Sequence, residues 1–267
     1  MGDFLTLKHS FNAGDLLTLL PSVKNLSKIE GKKFIIYQRL NAVAYYDHAD
    51  NHPIQNDGIN VCMNEYMFGM LKPLIEYQDY IQEFRIWQGE EVTFDIDTTR
   101  MSNIAPIGGG DIYYWPVLSH PQLMPDFSEP WIGAKELESH KKIILINRTE
   151  RYRNPYIHYF FLKEYENDIR FVGTKREHEL FNSEFSLSVI KWEVPDFRFL
   201  AASINSCRFF IGNQSMCYHI AEGTHTPRIL EVCSQFPNTF PHSKDGYAFI
   251  FQNGLEYYFK KLLKETE

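Results

Sequence analysis

The stretch Arg208-Phe209-Phe210-Ile211-Gly212-Asn213-Gln214-Ser215-Met216-Cys217-Tyr218-His219-Ile220-Ala221-Glu222-Gly223, followed by Pro227-Arg228-Ile229-Leu230-Glu231-Val232, decides the fold. An apolar run ends in Gly-Asn, a serine opens a segment with helical spacing, and a second apolar run follows a short turn. This is a strand, turn, helix, strand unit, the repeat from which parallel sheets are wound. Its turn gathers backbone N–H groups and the positive end of a helix dipole at one point, which suits a phosphate.

The same alternation extends outward in both directions. Ile143-Ile144-Leu145-Ile146 is an unbroken apolar run, as in a strand covered on both faces. Further strands are expected at 169–172, 188–192, 209–211 and 227–232, and helices at about 156–165, after Gly173, at 197–206 behind Asp196, and at 255–264. The first half predicts strands at 4–8, 33–38 and 91–96 and helices at 15–26 and 64–77, the latter bent or ended by Pro73. Between the halves, Gly108-Gly109-Gly110 and a Pro- and Trp-rich passage interrupt all periodicity. The pattern therefore predicts an α/β protein of two Rossmann-like domains, 1–139 and 140–267, with parallel sheets facing a cleft. Ligands of such sheets bind at the carboxyl ends of strands, so the loops there carry the chemistry.

Composition narrows the function. A net charge of −7 excludes a general nucleic-acid binder, which needs a basic field. Cys62, Cys207, Cys217 and Cys233 show no C-x-x-C spacing and read as buried structural thiols of a reducing, cytoplasmic protein. No run approaches the roughly 18 apolar residues of a spanning helix. Peripheral contact with a membrane through a lipid acceptor stays open. The N-terminal Met1-Gly2 through Thr6 matches a myristoylation pattern, and Asn25, Asn147 and Asn213 head glycosylation sequons; all are matches of form.

Four constellations follow strands. His9-Ser10-Phe11-Asn12-Ala13-Gly14-Asp15 ends in a tight turn at Gly14 and places the Asp15 carboxylate at a helix start, as a helix cap or as a base that accepts a hydroxyl proton. Asn147-Arg148-Thr149-Glu150-Arg151-Tyr152-Arg153-Asn154-Pro155 offers three arginines, a solvated charge run or a set of forked donors for a diphosphate. Gly173-Thr174 repeats the strand, glycine, helix-start arrangement. Asn213, Gln214, Ser215 and His219 group polar side chains at one turn and the helix it begins, with His219 as a ligand group or a core histidine. Asp47-His48-Ala49-Asp50-Asn51-His52 has metal-ligand residue types but no partner segment, so it reads as a polar loop and no metal site is expected.

Three of these segments resemble the glycosyltransferase family that contains the bacterial heptosyltransferases of lipopolysaccharide synthesis. Gly14-Asp15 through Leu20-Pro21 is similar to its N-terminal G-D-x-x-x-x-L-P element, and Arg151 to Pro155 sits where it has a basic residue before Trp-Pro. Ile211-Gly212-Asn213-Gln214-Ser215 with His219 and Ala221 resembles its G-N/D-D-S/T-G-x-x-H-x-A element. The resemblance implies a GT-B fold and a metal-independent, inverting transfer from a nucleoside-diphosphate sugar, the donor substrate, to a hydroxyl on a saccharide or glycolipid, with no cofactor. Asp15 would be the general base, and Arg153 would stand beside the donor phosphates. Ser215 and Met216 would offer backbone N–H groups, and the donor site would include Asn12, Gly14, Arg148, Arg151, Gly173, Thr174, Asn213, Gln214 and His219. Gln214 replaces the family's Asp and Met216 its Gly. The alternative is a GT-B-like protein that binds a nucleotide or phospho-sugar without turnover.

Overall fold

Leu5–His9 supplies the first strand, β1, of a computed structural model that describes residues 3–44, 54–101 and 110–266. The expected polar loop at 47–52 and the glycines at 108 and 109 lie outside the described residues, as does Gly2. The chain divides into two units, Met1–Gly133 with Asp196–Arg198, and Ala134–Pro195 with Phe199–Glu267.

In the first unit β1 leads into helix α1 (Ala13–Glu30), followed by β2 (Phe34–Gln38), a small hairpin of β3 (Gln55–Asn56) and β4 (Ile59–Asn60), and α2 (Glu65–Ile75). Strands β5 (Ile81–Ile86) and β6 (Phe94–Asp95) and the short helices α3 (Asp97–Met101) and α4 (Trp115–Ser119) complete it. A four-stranded parallel sheet runs β5-β2-β1-β6. Helix α1 buries Leu16, Leu20, Val23 and Leu26 and ends at Gly31, whose φ of 64° is the left-handed stop that a side chain resists. It runs through Pro21 because burial of that face outweighs the lost hydrogen bond, and it continues past the expected end to Glu30, up to the stop at Gly31. Pro73 likewise lies inside α2, near its end.

Two departures in this unit share a cause. Strand β5 was absent from the expected set, and the strand at 91–96 is reduced to Phe94–Asp95. Both are edge strands, half solvated, so their sequences mix Gln, Glu, Arg and Asp into the apolar pattern. The β3–β4 hairpin turns on Asp57-Gly58, with φ of 49° and 77°, the conformation that this pair favours.

The second unit contains β7 (Ile144–Asn147), β8 (Ile169–Phe171), α5 (Lys175–Phe185), β9 (Ile190–Lys191), α6 (Phe197–Ser206) and β10 (Phe209–Asn213). It continues with α7 (Met216–Gly223), β11 (Arg228–Glu231), β12 (Gly246–Phe249) and α8 (Gln252–Glu265). Six parallel strands run β12-β11-β10-β7-β8-β9. The chain moves one way from β7 and the other way from β10, so these two adjacent strands form the topological switch point of a Rossmann-like sheet. One face of the sheet packs Ile144, Ile146, Phe171, Phe209 and Ile211 against Phe181, Phe185 and Phe259, which accounts for much of the aromatic content.

The helix expected at 156–165 is instead a 3-10 segment, Phe160–Tyr165. Its preceding backbone is drawn elsewhere: Tyr156 N–H donates to Asn154 Oδ1, His158 N–H to Gln252 Oε1, and the His158 carbonyl accepts from Gln252 Nε2. The strand expected at 188–192 shortens to Ile190–Lys191 on the sheet edge, and β12 escaped notice because its four residues include a glycine. All four cysteines are buried thiols, and burial pushes Cys217 up to about 12.

At Gly212 the packing of β10 against β7 leaves no room for a side chain: an added Cβ would lie 2.7 Å from Phe210 Cε1 and 2.9 Å from the Asn147 carbonyl oxygen. Gly212→Ala is expected to destabilise the second unit by about 1–3 kcal/mol, read as a lower urea midpoint by circular dichroism. An unchanged midpoint would show that the strands can part there.

Candidate active site

Three loops converge at the switch point of the second unit. Strand β7 ends in Asn147, in parallel register with Gly212, and β10 ends one residue later in Asn213. Asn213 Oδ1 accepts from the Thr149 N–H (2.9 Å) and hydroxyl (3.2 Å), and its Nδ2 donates to the Thr149 carbonyl (2.9 Å). Asn147 Nδ2 donates to the Val172 carbonyl at the end of β8 (2.7 Å), and its Oδ1 accepts from the Ser215 hydroxyl (2.6 Å). Ser215 is also the N-cap of α7, accepting from Tyr218 N–H at 3.3 Å. Asparagine and serine do this because each carries a donor and an acceptor on a short arm.

The network brings Asn213, Ser215, Gly173 and Thr174 together, with Met216 opening the helix. Gly173 is obligatory there: its φ is 153°, and a Cβ would meet Glu177, Phe171 and Asn147 at 2.9–3.1 Å. Thr174 caps α5 in a closed box with Glu177, whose Oε2 accepts the Thr174 N–H and hydroxyl. Burial holds the Glu177 carboxyl above its usual range against the pull of those donors. Asn147 and Thr149 are components that the sequence reading missed. The signal was an amide ending a wholly apolar strand.

Other residues expected at the site serve the scaffold. Gln214 is buried and braces the loop after β11: its Oε1 accepts from Cys233 N–H (2.9 Å), and its Nε2 donates to the Phe236 carbonyl and to Asn238 Oδ1 (2.8 and 2.5 Å). The position where the resemblance expects a carboxylate is thus turned into the protein. Arg148 is 5% exposed and forks onto Glu231 through Nε (2.9 Å) and Nη2 (3.2 Å), beneath Tyr159, whose hydroxyl donates to the same carboxylate (2.7 Å). Burial opposes its charge, but Glu231 outweighs that and raises Arg148 further above its ordinary range. Arg148 is therefore removed from the loop surface. Arg153 remains accessible and pairs with Glu184 at 3.1 Å, while Arg151 lies over the Tyr152 ring. His219 is buried on α7 beside the Tyr218 ring.

In the first unit Asp15 stands in the first turn of α1 rather than at its cap, which is Asn12. Asp15 Oδ2 accepts from both the Asn12 N–H and Nδ2 at 3.2 Å. The carboxylate borders a small, half-open recess whose walls include His9, Phe11, Thr99, Trp115 and Pro116. His9 is fully buried and bonds Gln38 Oε1 through Nδ1 (2.9 Å). Beneath the wall, Asp97 accepts from Ser10 (2.5 Å) and Lys8 (2.9 Å), which ties the loop after β1 to the loop after β6. Asn12 caps α1, and Gly14 lies with Asp15 in the first turn of that helix, so the tight turn expected at Gly14 is a helix start instead. Among the described residues no group of three His, Cys, Asp or Glu side chains is placed to hold a metal ion, and no helix is long and apolar enough to cross a membrane.

This arrangement can be compared with solved structures over nearly the whole chain. The E. coli heptosyltransferase WaaC with ADP-2-deoxy-2-fluoro heptose aligns over 96% of this chain and 99% of its own, with a TM-score of 0.59 and 11% identity. The chain has the heptosyltransferase fold. A glycosyl transferase family 9 protein from Veillonella parvula DSM 2008 aligns over 98% and 91%, with a TM-score of 0.53 and 12% identity. The iron-containing dodecameric glycosyltransferase TibC of enterotoxigenic E. coli aligns over 100% and 78%, with a TM-score of 0.55 and 11% identity. No family model and no curated protein matches the sequence. The α/β class and parallel sheets expected from the sequence are those of this fold.

The end of the loop between β11 and β12 is anchored, at the start of those strands, by a second buried pair. Arg228 Nε meets Glu222 Oε2 at 2.5 Å with both side chains at 0% exposure, and Glu222 Oε1 accepts from the N–H groups of His242 and Ser243. Burial would raise the Glu222 carboxyl, but the guanidinium and these donors hold it below its ordinary range. A depressed folded value means that its contribution is complete above the unfolded carboxylate value of about 4.3. It is lost as pH falls through the folded value. Thermal melts from neutral to acid pH should show Glu222→Gln less stable at neutrality and with a flatter acid decline than the parent; parallel curves would contradict the linkage.

Proposed function

We propose that the protein is a metal-independent, inverting glycosyltransferase that moves a sugar from a nucleoside-diphosphate donor to a hydroxyl acceptor of glycan or glycolipid type. The observation that carries this is the switch-point turn of the second unit, where Ser215 opens α7 beside the ends of β7 and β10, on a chain that shares the heptosyltransferase fold over nearly its full length. A helix start at a switch point favours a diphosphate through oriented N–H groups and the helix dipole. Two of the structures that share the fold carry ADP or an ADP-linked heptose analogue, so an ADP-sugar is the first donor to test.

The donor is assigned to the second unit and the acceptor hydroxyl to Asp15 of the first. Asp15 takes the hydroxyl proton as the oxygen attacks the anomeric carbon. The bond from that carbon to the diphosphate oxygen breaks on the opposite face, and its electron pair leaves with the diphosphate. Charge growing on the leaving group is met by the first turn of α7 at Met216 and Cys217 and by Arg153, released from Glu184. Arg148 and Gln214, both buried, support the loops instead of touching the donor.

Two measurements test the reading. ADP at 100 times its Kd should add about 2.7 kcal/mol of stability and raise the melting temperature, with the shift much reduced in Arg153→Ala. Absence of a shift with any nucleoside diphosphate would remove the donor site. Asp15→Asn, which leaves the Asn12 cap in place, should cut transfer from the donor at least about 10²-fold while the ADP shift persists. Near-normal transfer would sink the base assignment.

A further inference from the structure

Strand β12 is an edge of the six-stranded sheet, and among the described residues it pairs with β11 alone. Val232 N–H donates to the Phe249 carbonyl and Arg228 N–H to the Asp245 carbonyl, both at 3.0 Å. Alternate residues of a strand direct their backbone groups to opposite sides, so Gly246 and Ala248 turn theirs outward. An open edge of this kind is a template for another strand unless it is short, charged or covered. The other edges of the two large sheets are protected in this way: β5 carries Glu83 and Arg85, while β6 and β9 are two residues long and include Asp95 and Lys191. The Gly246-Tyr247-Ala248-Phe249 edge has neither charge nor proline, and its first three residues are only half-buried. Lys261 lies over the Tyr247 ring, 5.5 Å from its centroid, and pairs with Glu265, so its charge is taken up on the face of the sheet and not across the edge.

The flank of the edge selects the partner. Helix α8 is seated over both β11 and β12, and its Tyr258 stacks on Tyr247 with ring centroids 4.8 Å apart. Paired strands lie about 4.8 Å apart, so a second copy added by a two-fold axis along this edge brings its own α8 to about 10 Å, the distance at which helices pack. Antiparallel pairing centred on Tyr247 sets Gly246 of each copy opposite Ala248 of the other, which satisfies every outward N–H and C=O of both residues. An isolated strand from another protein would leave the flank of α8 open. We infer that the chain forms a two-fold dimer through β12, which joins two six-stranded sheets into one with the α8 helices side by side. The dimer makes no use of the transferase reading, so the failure of either leaves the other standing.

Sedimentation velocity of the full chain at tens of micromolar should give twice the mass of one chain. Ala248→Pro removes an outward N–H without touching the ladder to β11 and should weaken the dimer at least about tenfold, with the circular dichroism of the parent. Tyr247→Cys provides a second test that does not depend on tolerance of proline. The native cysteines are buried, so mild oxidation should link this variant into a covalent dimer, whereas Ile190→Cys, at an exposed position of the β9 edge, should not cross-link. A monomeric parent would overturn the inference. So would a dimer that Ala248→Pro leaves intact, or one that fails to cross-link through position 247.

Discussion

The close pairing of β7 with β10 is the constraint on which the second unit depends. Gly212 lets the strands approach, and the approach sets Asn147 opposite Gly212, one residue short of Asn213. From there hydrogen bonds fix the ends of three strands and the start of α7 in one arrangement. A phosphate site needs N–H groups that already point the right way, because reorganisation during reaction would cost what the site is meant to supply. The rigidity comes from amide side chains, which satisfy backbone groups that the strand ends leave open.

Two buried ion pairs hold loops at opposite ends of β11, the first of them beside this turn. Glu231 takes Arg148, the Asn154 N–H and the Tyr159 hydroxyl; Glu222 takes Arg228, Ser243 and Tyr218. Each carboxylate is surrounded by several donors, the condition under which a buried charge is tolerated. The consequence for function is a division among the arginines of the loop after β7. Arg148 stabilises the loop, and Arg153 stays at its surface where an anion can reach it.

The first unit is organised around a different principle. Its recess is walled by rings whose polar edges are already bonded, with the Asp15 carboxylate as its charged group. The helix start that carries Asp15 is closed by Asn12, so the carboxylate is both a capping partner and a wall of the recess. Of the two readings of Asp15 that the sequence left open, the structure shows the helix stabiliser.

The sequence by itself determined the α/β class, the parallel winding and the turn at Ser215, because apolar runs of strand length and helical spacing are local properties. It also placed Asp15 at a helix start and Gly173 in a loop after a strand, where steric freedom and charge are written in residue type. Only the tertiary structure decided which polar residues are drawn inside and which stay at the loop surface. Arg148, Arg151 and Arg153 are alike as letters; a carboxylate 83 residues away, Glu231, draws the first into the core. Gln214 was legible as a departure from a pattern, but its partners at 233, 236 and 238 are brought to it by β11. The edge strand β5 was hidden for the same reason, since a half-solvated strand mixes polar residues into its pattern and is defined by the neighbour it pairs with. Periodicity reports burial, and burial of polar groups is a matter of which distant partner arrives.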